Sequence, residues 1–254
     1  GSDETFAFTS TVPGASSFIL TTVFGAAQVT SAPLIPGDYQ VTELLPVGWQ
    51  LDSIQCQHGP DSFVGIDYGE NRAYIDLAAG DDVTCTFVNE PTGRITIVKE
   101  ANPDDGTPFV FDQDVDNSGA FTLTHALSTT FSSVAAGNYN IAETLPNGWY
   151  MALVNCQAAS GNNVPTSIDY PNARFGMELL AGEDVTCTVG NNRYASLTIV
   201  KAADGGDGTF AFSSPFFPSS TFSLTTVSGA AQITFDQLPS NITYTVNENS
   251  TPGW

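Results

Sequence analysis

Only two lysines occur in this 254-residue chain, and both close the same short string: Lys99 ends Ile-Thr-Ile-Val-Lys and Lys201 ends Leu-Thr-Ile-Val-Lys. Lysines placed for solubility scatter over a surface. Two that return to one strand position point to a structural task. The four cysteines repeat as well, Cys56 with Cys85 and Cys156 with Cys187. Four thiols allow three connectivities, and the repeat favours pairing within each unit. Each bridge would close a loop of about 30 residues, worth roughly 3–4 kcal/mol in the chain-entropy view, and would indicate an oxidising, extracellular setting. A four-thiolate zinc site is the competing reading, but no pair has C-x-x-C spacing. Asp112, Asp114 and Asp116 alternate as in a calcium loop. The sixth position is Asn117 rather than glycine and the twelfth is Leu123 rather than glutamate, so they form a weak calcium candidate that reads better as a solvated hairpin. No metal or cofactor is expected.

These residues hold fixed places in a repeat. Tyr39, Glu43 and Trp49 return as Tyr139, Glu143 and Trp149, then as Tyr244, Glu248 and Trp254, about every hundred residues. So long a period marks an array of small domains, divided here at 1–92, 93–195 and 196–254. The middle unit is complete. The first lacks the lysine string and the third stops before any cysteine, so the chain reads as an excerpt of a longer array or as a protomer completed by its neighbours. Within the units, nearly every segment alternates with period two. Phe6/Phe8, Phe109/Phe111 and Phe210/Phe212 each put two aromatics on one strand face. Gly- and Pro-rich turns separate about seven short strands per unit, and no helical period is sustained. The expected class is all-β: tandem immunoglobulin-like or prealbumin-like β-sandwiches in an elongated array. The short linkers, 90–94 and 192–196, imply limited freedom between neighbours. The tryptophans follow a turn each time and are expected to cap a core edge.

Six Lys+Arg against 27 Asp+Glu give a formal charge of -21, which argues against nucleic acid and anionic membranes as partners. Charged residues total only 13% and hydrophobic ones 41%, enough for several small cores rather than an acidic tail. No apolar run reaches the ~20 residues of a membrane span. His58 and His125 have no counterparts between units, and no nucleophile, metal cluster or phosphate loop recurs, so the chain is not expected to be an enzyme.

The order of Lys99, Glu143 in Ala-Glu-Thr-Leu-Pro-Asn-Gly-Trp, and Asn191 after Thr-Cys-Thr-Val-Gly resembles the collagen-adhesin B-type repeats of Gram-positive surface proteins and pilins, the prealbumin-like or SpaA-type repeats. Unit one carries part of the pattern, Glu43 and Asn89; unit three carries another part, Lys201 and Glu248. The resemblance implies a self-formed isopeptide bond in which Lys99 attacks Asn191 with Glu143 as proton shuttle. A salt bridge between Lys99 and Glu143 is the plain alternative. Two features depart from the family pattern: the cysteines are an added staple, and Gly190 is expected to loosen the strand before Asn191. The role expected is a structural one, an extracellular or cell-surface stalk, filament or pilus-like fibre whose partners are copies of itself or adjoining repeats. The other expected role is an adhesin for a carbohydrate or host protein. Donation of the lysine strand, residues 196–201, from one copy to unit one of the next is a further expectation.

Overall fold

The structure, a computed structural model, describes residues 3–217, 219–251 and 253. Alternating side chains and frequent turns produce strands throughout. Unit one contributes β1 (Thr5–Ser10), β2 (Ser17–Thr21), β3 (Gly37–Leu44), β4 (Trp49–His58), β5 (Phe63–Asp67), β6 (Arg72–Leu77) and β7 (Val83–Pro91). Unit two runs through β8 (Gly93–Asn102), β9 (Phe109–Gln113), β10 (Phe121–Leu123), β11 (Ser128–Val134) and β12 (Gly137–Thr144). It continues with β13 (Trp149–Ala158), β14 (Thr166–Asp169), a single 3-10 turn at Tyr170–Asn172, β15 (Arg174–Leu179) and β16 (Asp184–Arg193). Unit three holds β17 (Ala195–Ala202), β18 (Thr209–Ser213), β19 (Thr221–Thr225), β20 (Ala230–Leu238) and the short β21 (Asn247–Glu248). Among the described residues, no helix is long and apolar enough to cross a membrane.

Unit two shows the complete sandwich. One sheet has the order β10-β9-β12-β15-β14, and the facing one has the order β11-β8-β16-β13. Between them lies a core that includes Phe109, Phe111, Ile95, Ile97, Phe175, Val189 and Trp149. The paired phenylalanines of β9 point inward together, as period two requires. Strands β8 and β16 run parallel, Val189 opposite Lys99 and Asn191 opposite Ala101, whereas the other pairs are antiparallel.

Unit one repeats the five-stranded sheet, β2-β1-β3-β6-β5, but opposite it only β4 and β7 pair among the described residues. Unit three repeats the other half: β17 pairs with β20 as β8 does with β11, and β19-β18-β21 stand in for β10-β9-β12. Both disulfides lie within a unit and join residues directly opposite on neighbouring strands. Cys56–Cys85 links β4 to β7 and Cys156–Cys187 links β13 to β16, with Cα separations of 4.0 and 3.9 Å.

Between units, β7 gives way to β8 across Thr92 alone, and β16 to β17 across Tyr194 alone. One expectation needs correction: Gly190 does not loosen β16, because β13 bulges opposite it. A Cβ at 190 would lie 3.1 Å from the Leu153 Cβ, so the glycine makes room for that leucine. In unit one the sizes are exchanged, with Val88 opposite Ser53.

Candidate functional site

Three buried polar side chains meet inside unit two, and each arrives on a different strand. Alternation along β8 sends Ile95, Ile97 and Lys99 to the same inward face, so the lysine is carried in by its apolar neighbours. It is fully buried, at 0% exposure. Glu143 comes from β12 in the opposite sheet, at 5% exposure, and Asn191 from β16, at 1%. Lys99 Nζ donates to Asn191 Oδ1 at 2.7 Å and to the Val189 carbonyl at 3.3 Å, and it also bonds the Glu100 carbonyl. Asn191 Nδ2 donates to Glu143 Oε2 at 2.7 Å. Glu143 Oε1 stands 3.7 Å from Lys99 Nζ and has no hydrogen-bond partner.

Burial sets the electrostatics. Loss of water lowers the Lys99 pKa to about 8, against the opposing pull of Glu143. Loss of water likewise raises Glu143 above the usual carboxylate range, offset in part by Lys99 and the Asn191 amide. The two shifts converge, so passing a proton from the ammonium to the carboxylate to give a neutral pair is inexpensive here. The neutral amine then faces an amide whose nitrogen already touches the proton carrier. Attack of Nζ on the Asn191 side-chain carbon would form one C–N bond and break another. Glu143 would hand its proton to Nδ2, which departs as ammonia, and would take up the second proton that Nζ sheds on becoming an amide nitrogen. Proximity would supply the rate of such a reaction, which could turn over only once.

The Phe109 ring was not legible as part of this site. Lys99 Nζ lies 4.0 Å from its centroid, and the ring closes the amine off from solvent. The signal was present: an inward phenylalanine follows each lysine by nine or ten residues, and Lys201 sits 4.1 Å from the Phe210 centroid. The tryptophan after the turn completes the wall. A type II turn, with Gly48 or Gly148 at positive φ, lets the Trp49 N–H bond Pro46 and the Trp149 N–H bond Pro146. Trp49 then packs edge-on to Phe6 at 5.3 Å and Trp149 to Phe109 at 5.2 Å, in keeping with the core-edge expectation. Trp254 lies outside the described residues.

The partial sets are assembled as far as their residues go. In unit one Asn89 Nδ2 donates to Glu43 Oε1 at 2.7 Å, reproducing the Asn191–Glu143 bond. Burial raises the Glu43 pKa, while its Asn89 bond opposes the rise. In unit three Lys201 bonds Glu248 at 2.7 Å in a half-exposed pair. Asp112, Asp114 and Asp116 do not converge. Asp114 accepts from the Asn140 backbone and side-chain amides and Asp116 from Ser118 and Gln113, and among the described residues no acidic, histidine or cysteine group has metal-binding geometry.

A family profile described as a prealbumin-like fold domain matches residues 1–91 and again 95–193. No curated protein matches the chain. Among solved structures, the chain is similar to the major pilin protein (T-13) of Streptococcus pyogenes at 16% identity, covering 75% of this chain and 90% of that one, with a TM-score of 0.26. A bacterial adhesin from Mobiluncus mulieris, described as containing intramolecular disulfide, isopeptide and ester cross-links, is 10% identical over 74% of this chain and 85% of its own, with a TM-score of 0.35. The pilus backbone (RrgB) of Streptococcus pneumoniae is 10% identical over 98% and 90%, with a TM-score of 0.20. These superpositions are loose, and the weight falls on the profile.

Proposed function

The chain belongs to the prealbumin-like fold domain family, and from that premise we propose that it is a structural component of an extracellular filament, stalk or pilus-like fibre on a cell surface. The observation that carries this reading is the Lys99–Glu143–Asn191 contact in its place on the sheet. Chain enters unit two along β8 and leaves along the adjacent, parallel β16. Tension applied through the two ends of the unit therefore shears this strand pair. An isopeptide bond between Lys99 and Asn191 would carry the load from one unit to the next while the intervening chain stays slack. The disulfide to β13 holds the other side of β16. Such a bond is a self-modification and makes the protein a material rather than a catalyst. An adhesin role has less support: the segments that differ most between units, 57–70 and 157–172, supply the edge strands β5 and β14 rather than one distinct loop cluster.

Pulling single molecules from their ends under oxidising conditions tests the reading. Unit two should not lengthen. The Asn191→Ala variant should release about 60 further residues, the disulfide loop staying closed, for an added contour of roughly 200 Å. The same extension in the unaltered chain would refute the mechanical role.

A further inference from the structure

The two five-stranded sheets carry the same arginine on their outer face, and its surroundings differ. In unit one Arg72 and Tyr74 of β6 point away from the core, on either side of the buried Ala73. Arg72 Nε donates to Thr42 Oγ1 at 3.0 Å and Nη1 to the Tyr74 hydroxyl at 2.8 Å, and Nη2 pairs with Glu70. The guanidinium also stands 5.4 Å from the centroid of the Tyr74 ring. Unit two keeps the arginine as Arg174 and removes every partner. In the matching places Thr42 becomes Ala142, Tyr74 becomes Gly176 and Glu70 becomes Asn172. Among the described residues Arg174 has no hydrogen bond, ion pair or ring contact. Where the tyrosine would lie there is an open hollow of about 500 Å³.

The rim of that hollow has gained polar groups. Opposite Ala142 stands Asp112, where unit one has Thr9 opposite Thr42. Opposite Gly176 stands Ser167, where unit one has Gly65 opposite Tyr74. Asp114 takes Asn140 Nδ2 at 2.9 Å, which leaves Asn140 Oδ1 without a partner among the described residues. A Cβ on Gly176 would meet Ser167 Oγ at 2.9 Å and that amide oxygen at 3.1 Å, so both atoms converge over the glycine. We propose that the hollow binds a neutral saccharide, with one pyranose ring in the place that Tyr74 fills in unit one. Tyr74 shows what this arginine accepts: a six-membered ring against the guanidinium and a hydroxyl that takes its N–H. A phenol from a partner protein brings a single hydroxyl and leaves Asp112, Asn140 and Ser167 unanswered. A sugar carries hydroxyls around its edge, each able to donate and to accept. Arg174 donates to them, Asp112 and Asn140 Oδ1 accept from them, and Ser167 can do either. Asp112 and Asp169 share a row across the sheet with Arg174, and the chain has a formal charge of -21, so an acidic sugar is disfavoured. The inference goes beyond the filament reading and does not depend on it, since the Lys99 site lies on the inner side of the sheet.

Nuclear magnetic resonance of the isotope-labelled chain tests this, because four arginines give few Nε–H signals to assign. The probes are the methyl glycosides of glucose, galactose, mannose and N-acetylglucosamine. At least one should shift the Arg174 Nε–H and Gly176 amide signals and saturate with a Kd of about 1–10 mM, as suits one ring in an open hollow. The Arg72 signal should stay in place. Arg174→Ala should weaken the response at Gly176 by about tenfold, the worth of one charge-assisted hydrogen bond. The double variant Gly176→Tyr with Ser167→Gly rebuilds the Tyr74–Gly65 pair of unit one and should abolish binding. No shift with any of the four glycosides overturns the proposal, as does a response that both variants leave unchanged. A response to N-acetyltyrosine amide with none to the sugars also overturns it, and would give the hollow to an aromatic side chain of a partner protein.

Discussion

Lys99 is a residue that ordinary rules keep out of a core, and its setting shows what makes it tolerable. A buried ammonium costs several kcal/mol unless it is paired or gives up its proton. Both routes are present, with Glu143 at 3.7 Å and a pKa brought to about 8. The pH dependence follows from the sign of that shift. In an Asn191→Ala variant, where no bond can form, the folded protein releases the Lys99 proton near pH 8 and the unfolded chain holds it to about 10.5. Between those values the unfolded state binds more protons, so stability should rise with pH, by up to about 3 kcal/mol. Urea titrations at pH 7.5 and 10 measure this, and a flat profile would place the amine in contact with solvent. The order of lysine, glutamate and asparagine was readable from the chain because the repeat marked those positions. The ring under the amine was not, because phenylalanine in an alternating strand already has a sufficient explanation as core.

At the scale of elements, the central strand β16 is where the design concentrates. It pairs on both sides, carries Cys187 and Asn191, and needs Gly190 between them to let β13 bulge past. Gly190→Val should cost about 1–3 kcal/mol through overpacking against Leu153, and Leu153→Ser should recover most of it by recreating the Val88–Ser53 arrangement of unit one. Urea midpoints of the single and double variants check this; additive losses would show that the two sites are not in contact. The exchange of small and large residues explains why Gly190 misleads a reader of sequence. Its meaning depends on a residue 37 positions away, and period two offers no sign of a bulge. At the junction of units one and two, Gly93 is there for close approach: a Cβ would lie 2.3 Å from the Glu183 carbonyl oxygen, which accepts the Arg94 amide.

For the whole molecule, the repeat told the fold class, tandem prealbumin-like domains built of strands, and burial differs from one unit to the next. Unit two has a two-layered core, whereas β4 and β7 of unit one leave much of their inner face half-covered. The units should therefore melt separately, with unit two last. Closing a loop of about 90 residues contributes roughly 4 kcal/mol in the chain-entropy view, which for a domain of ~100 residues is worth about 15–30 °C. Calorimetry of the oxidised chain should show the highest transition falling by that amount in Asn191→Ala while the lower ones stay in place. A uniform fall of all transitions would mean that the units do not fold independently.

The proposed mechanical role requires that Lys99 and Asn191 become one covalent group. Peptide mapping by mass spectrometry after complete reduction reads this directly. The expected result is a branched peptide joining the two residues, about 17 Da lighter than its parts, in the unaltered chain and absent from Glu143→Ala. Separate Lys99 and Asn191 peptides of full mass from the folded protein would contradict it.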